Sequence, residues 1–149
     1  MNKAFIREPE PDGRAFCPRC GSLGVPVEHQ TLDAHIRAEF RNKLGDSAWF
    51  CGFPRCDSAY FNLFGAVVPI EELQTRVYPK DLDAPICACF GLNYDDVAAD
   101  AAEGAPRRIR ENLARSQSSE ARCETLAPDG RNCIGAVQEL YVRLRNKQT

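Results

Sequence analysis

The sequence predicts an α+β protein: a small α/β N-terminal half that closes on a metal, followed by a mostly helical C-terminal half. Three observations carry this. The eight cysteines of the 149-residue chain fall into two quartets that do not interleave, Cys17, Cys20, Cys51, Cys56 and Cys87, Cys89, Cys123, Cys133. Short runs of aromatic, strand-forming residues flank the second pair of the first quartet. Helix caps and a 3.6-residue apolar period dominate after the third pair. Between the quartets lies VPIEELQTRVYPKDLDAP, whose two late prolines and acidic run read as a connection, with the boundary near Lys80 to Pro85. The expected organisation is a flexible lead-in over 1–15, a metal-binding domain over 16–84 and a helical domain over 85–149.

In the first half, Val25 to Gln30 reads as a short strand. Thr31 then stands where a cap is needed, because Leu32, Ile36, Phe40 and Leu44 recur at four-residue intervals and predict one helix ended by Gly45. Ala48–Cys51 and Ala59–Phe64 are the next strand candidates. In the second half, Asn93 is placed to cap YDDVAADAAE, with Asp95 and Asp96 in the first turn and Gly104 just past the end. Pro106 opens RRIRENLARS. ETLAPDGRN is a loop with Asp129-Gly130 as its turn, and Ile134 to Arg145 forms a last helix with Ile134, Val137, Leu140, Tyr141 and Leu144 on one face.

Composition narrows the function classes. The net charge is -2 with 27% charged residues, whereas recognition of phosphate backbones favours a basic excess, so nucleic acid is not an expected partner. No run approaches the roughly 18 apolar residues of a membrane span. The acids and prolines of MNKAFIREPEPDGR interrupt anything like a secretory signal core, so a cytoplasmic location is expected. In a reducing compartment eight thiols point to metal ligation or redox chemistry, not to four disulfides. There is no G-x-S-x-G, H-E-x-x-H or glycine-rich phosphate loop, so the chain reads as a metal-binding or electron-transfer protein and not as a hydrolase.

Cys17-Pro-Arg-Cys20-Gly21 is a metal knuckle. Two thiolates two residues apart grip one ion, and the glycine lets the chain turn tightly enough to aim backbone amides at sulfur. Cys51 and Cys56 complete an all-sulfur set of four that suits structural zinc and leaves no open coordination position. The same geometry admits iron or another soft metal. His35, off the apolar stripe, reads as a surface or boundary residue, and His29 lies in the strand-to-helix passage; neither is needed as a ligand. Trp49, Phe50, Tyr60, Phe61 and Phe64 are expected to form the core under this site.

The second quartet is spaced C-x-C, thirty-three residues, C-x9-C. C-x-C is tighter than the usual zinc knuckle but suits a cluster, where each pair of sulfurs binds one iron; four cysteines also meet the count for an all-thiolate 2Fe-2S cluster. Cys87-Ala-Cys-Phe-Gly-Leu-Asn-Tyr-Asp-Asp-Val resembles the start of bacterioferritin-associated ferredoxin domains. With CPRCG at 17–21, WFCGFPRCDSAYF at 49–61 and CETLAPDGRNCIGAV at 123–137, the chain from about Phe16 to Leu144 resembles the cysteine-rich N-terminal domain of the CopZ copper chaperones. That resemblance implies zinc on Cys17, Cys20, Cys51 and Cys56, and a 2Fe-2S cluster on Cys87, Cys89, Cys123 and Cys133. It further implies one-electron redox chemistry linked to copper handling, such as reduction of Cu(II) to Cu(I), with a redox partner and a copper-handling protein as partners.

Those chaperones also use an M-x-C-x-x-C copper loop, which the 149 residues lack; with all eight cysteines taken up by the two sets, a copper ion is expected to be bound elsewhere or met only in passing. Two alternatives stay open: a two-zinc protein-interaction module without redox activity, and an iron-delivery or iron-release ferredoxin. Phe90 and Gly91 are expected to shape the cluster loop, while Arg107, Arg108, Arg110 and Arg115 read first as a solvated helix face.

Overall fold

A computed structural model describes residues 14–118, 121–131 and 133–148; the lead-in expected over 1–15 lies outside them through residue 13. The fold is α+β. Its first half is a four-stranded antiparallel sheet in sequential order, β1 (Val25–Val27), β2 (Ala48–Phe50), β3 (Ser58–Phe61) and β4 (Val67–Pro69). Between β1 and β2 lie α1 (His29–His35) and a 3-10 helix over Ala38–Lys43. The second half is helical: α2 (Tyr94–Glu103), α3 (Arg107–Ser116), the short α4 (Cys123–Leu126) and α5 (Ile134–Gln148).

β2 and β3 are buried along their whole length, without the polar alternation of a one-sided sheet. The reason is that both faces are covered. Cross-strand partners Trp49 and Phe61 stack at 6.2 Å on one face, packing with Ala15, Cys17 and Cys51. Phe50 and Tyr60, also partners, meet at 5.4 Å in the cluster that holds Leu32, Ile36, Val68 and Leu73. The two-residue strand period thus sends Cys51 to the Trp49 face, where the knuckle waits. Gly24 is required by the same packing, since a Cβ there would lie 2.5 Å from Phe61 Cζ. Phe64, expected in this core, is instead 76% exposed beyond the end of β3.

The apolar stripe Leu32, Ile36, Phe40, Leu44 is correct as a mostly buried face but not as one helix. Ile36 is extended and bridges Leu73, Arg37 N–H donates to Glu72 O, and Gln74 caps the end of α1 through Ala34 O at 2.7 Å. Pairing with the segment after β4 therefore overrides helical continuation. Thr31 is buried inside α1, whose N-cap is Glu28. β4 runs into the stretch expected to be connection; its Val67-Val68 pair is its local sequence signal. Ala15, expected in the lead-in, is buried and its carbonyl accepts from Gly24 N.

The helical half follows its caps closely. Asn93 and Asp96 form a reciprocal capping box, and Gly104 closes α2 at φ 81. Pro106 offers α3 no side-chain cap. Buried Asp100 supplies it, accepting from Arg108 N at 3.2 Å and Ile109 N at 2.9 Å, with Arg108 Nη1 at 2.9 Å balancing its charge. Ile86, Leu92, Val97, Ile109, Val137 and Leu140 form this half's core with Cys87 and Cys133. ETLAPDGRN, expected as loop throughout, begins within α4 before its Asp129-Gly130 turn. Among the described residues no helix is long and apolar enough to cross a membrane.

Candidate metal centre

Each arm of the first site comes from a turn that its sequence dictates. Gly21, at φ 77, returns the chain so that Gly21 N donates to Cys17 O and Cys17 N to Ser22 O. Cys51 follows β2, its N–H tied to Ala59 O, and Cys56 closes a turn onto Phe53 O. Arg19 and Asp57 bridge the two arms at 2.6 Å on the surface. The result is that the sulfurs of Cys17, Cys20, Cys51 and Cys56 all lie within 4.8 Å of one another. Cys20 Sγ stands 3.5 Å from Cys51 Sγ, and Cys17 Sγ 3.9 Å from Cys56 Sγ. Four sulfurs about 2.3 Å from one zinc at tetrahedral corners stand about 3.8 Å apart, so this set fits the ion.

The protonation balance fits as well. Burial pushes the Cys51 thiol up to about 12. Cys20 moves the other way: although burial opposes it, hydrogen bonds from the Ser22 side chain and amide pull it down to about 6. Sulfurs this close resist ionising together, and a bound dication removes that resistance. Lys80 lies over the site, with Nζ 3.4 Å from Cys51 Sγ, 2.6 Å from Phe53 O and 3.0 Å from Cys56 O.

Neither histidine enters the site. His29 is exposed at the start of α1. His35, expected at the surface or boundary, is only 4% exposed: its Nδ1 meets Thr75 Oγ1 at 2.6 Å, while Nε2 faces the backbone of Leu126 and Ala127 without a well-formed hydrogen bond. Its burial follows from the break after α1, which turns this residue inward against α4.

Residues 14–74 match the zf_CopZ family model, a zinc binding domain. That stretch contains all four cysteines of the first set, so the N-terminal half is a zinc-binding, CopZ-like domain. The chain is also similar to the X-ray structure of the Archaeoglobus fulgidus CopZ N-terminal domain, with 25% identity and a TM-score of 0.72 over 85% of this chain and 97% of that one. The likeness therefore runs past residue 74 into the helical half. No curated protein matches the chain.

In that helical half, Cys87 opens the loop to Leu92 and is buried; Gly91, at φ 78, lets its own N–H return to Cys87 O. Cys133 is buried at the start of α5, and Cys89 Sγ accepts from Arg122 N at 3.2 Å. Cys87 and Cys133 are neighbours: the Cys133 thiol draws Cys87 down to about 6, burial opposes this, and the amides of Phe90 and Cys89 and the Asn112 side chain assist. The side chain of Cys123 lies outside the described residues, and its backbone begins α4. None of the other seven cysteines forms a disulfide.

Asn112, which sequence reasoning missed, is buried on α3 and donates from Nδ2 to Cys133 Sγ at 3.8 Å. An asparagine within a helix carries no local signal for such a role; only the packing of α3 and α5 against α2 supplies it. Of the helix arginines, Arg108 is committed to Asp100 and Glu103, and Arg115 stacks on Phe90 with its guanidinium 4.5 Å from the ring centre. A cleft of about 690 Å³ opens beside Cys133, bounded by Tyr78, Leu82, Ile86, Asp129 and Arg143.

Proposed function

We propose that the chain is a metal-binding redox protein in which Cys17, Cys20, Cys51 and Cys56 hold a structural zinc while Cys87, Cys89, Cys123 and Cys133 hold a 2Fe-2S cluster. The observation that carries the reading is the second thiol set: buried Cys87 and Cys133 lie side by side under a buried amide donor, Asn112, while a backbone amide serves Cys89. Such N–H donors to sulfur stabilise thiolate ligands and tune a cluster's potential. A bound 2Fe-2S cluster supplies one-electron oxidation and reduction.

The role of the protein is then to exclude water from Cys87 and Cys133, set the negative charge on sulfur through Asn112 and the loop amides, and present the more exposed Cys89 side to a partner. The CopZ likeness supports a connection to copper handling, with a copper-handling protein and a redox partner as the macromolecules involved and Cu(II) reduction to Cu(I) as the step served. Cu(I) is the state that thiolate sites select. The division into residues 16–84 and 85–149 belongs to the same reading, as does a cytoplasmic location.

The test is elemental and spectroscopic. Protein purified without oxygen is expected to be brown, with iron and acid-labile sulfide at two each and zinc at one per chain, and to give a paramagnetic signal on one-electron reduction. Colourless protein holding zinc at both sites would overturn the redox reading in favour of a two-zinc interaction module.

A further inference from the structure

Lys80 lies outside both cysteine sets, yet its ammonium spends its protons on the first of them. It contacts the sulfur of Cys51 and, through Phe53 O and Cys56 O, both ends of the turn between Cys51 and Cys56. Its backbone is held independently. Val77, three residues earlier, is buried in the sheet core, Asp81 N donates to Val77 O, and Ala84, four residues later, is buried. The ammonium is thus placed by a structured segment and does not reach in from a free surface chain.

We propose that Lys80 is a positioning residue of the zinc centre, which fixes the Cys51–Cys56 loop and lowers the reactivity of the Cys51 sulfur, so that it governs how readily the metal is lost. The inference rests on the four cysteines holding zinc. A dication with four thiolates keeps excess negative charge on sulfur, and a cation in hydrogen-bond contact withdraws part of it from the lone pair that an electrophile would attack. Cys51 is the sulfur that benefits, so the effect should be local to it.

The experiment uses the zinc-loaded full chain, iodoacetamide as the probe, a chromogenic chelator to follow released zinc, and peptide mass mapping to order the cysteines. Alkylation forms a sulfur–carbon bond with loss of iodide and removes a ligand from the metal. Lys80→Met is expected to speed both alkylation and zinc release about tenfold, with Cys51 modified first. Lys80→Arg is expected to restore slow release. Should Lys80→Met fail to fold, Lys80→Gln keeps donors for the two carbonyls without the charge, and faster modification of Cys51 is again the expected result. Wild-type rates in the folded neutral variant, or equal acceleration at all four cysteines without rescue by arginine, would overturn the role of Lys80. Wild-type protein carrying no zinc on the first quartet would instead overturn the reading on which the inference rests.

Discussion

The hydroxyl of Tyr60 donates to the carbonyl of Pro128 at 2.5 Å, joining residues 68 positions apart. Tyr60 lies within β3 and is fully buried; Pro128 lies in the turn between Cys123 and Cys133. The sheet of the zinc-binding half therefore holds the turn that leads into the second cysteine pair. Tyr60→Phe leaves that carbonyl buried and unanswered, at a cost of about 1 to 3 kcal/mol. Urea unfolding of the metal-loaded protein should show the loss as a lower midpoint with an unchanged slope; an unchanged midpoint would mean that water or a shifted turn replaces the bond.

His35 makes stability depend on pH. Burial depresses its proton affinity below the ordinary value of 6.5, so the folded protein keeps the ring neutral where the unfolded chain begins to protonate it. The unfolded state then binds more protons, and stability rises with pH. The contribution is complete above about pH 6.5 and is lost progressively as the pH falls below it. Denaturant midpoints of wild type and His35→Gln, both metal-loaded, are expected to converge as the pH drops from about 7.5 to about 5.5. Parallel curves would assign the acid sensitivity to other groups.

Asp100 stands under α3, and α3 carries Asn112 to Cys133. Asp100→Ala removes the cap of that helix and leaves Arg108 N and Ile109 N without their acceptor, while the Arg108 guanidinium keeps Glu103. Leaving a buried amide donor without its acceptor costs about 1 to 3 kcal/mol. The thermal midpoint should fall clearly for Asp100→Ala, while Glu103→Ala, which removes the exposed carboxylate shared by Arg107 and Arg108, is expected to leave it nearly unchanged.

Zinc is expected to act on the fold of the first half directly. Structural zinc contributes roughly 10 to 16 kcal/mol of apparent folding free energy in small domains. The chain's single tryptophan, Trp49, packs against Cys17 and Cys51 and so reports on this site. Strong chelation, or Cys17→Ser, is expected to red-shift Trp49 fluorescence and abolish near-UV dichroism from the sheet. Retention of both after verified metal removal would show that the sheet core suffices without the ion.

Much of this molecule is written locally. The C-x2-C and C-x4-C spacings, the glycine after Cys20, the Asn93-Asp96 cap and the glycine after α2 each act within a few residues, so the sequence by itself determined the knuckle, the main helices and the α+β class. It could not show that the helix after β1 stops at His35, because the competing partner, Leu73, is 37 residues away from Ile36. Nor could it place His35, Lys80 or Asn112, whose roles depend on groups brought close by folding: the backbone of α4, the Cys51–Cys56 loop and Cys133. Short-range caps and turns need only neighbouring residues and their backbone angles. Burial, the contact of an ammonium with a thiol, and a hydrogen bond from Tyr60 to Pro128 exist only once the sheet and helices have closed on one another, and those were decided by the tertiary structure alone.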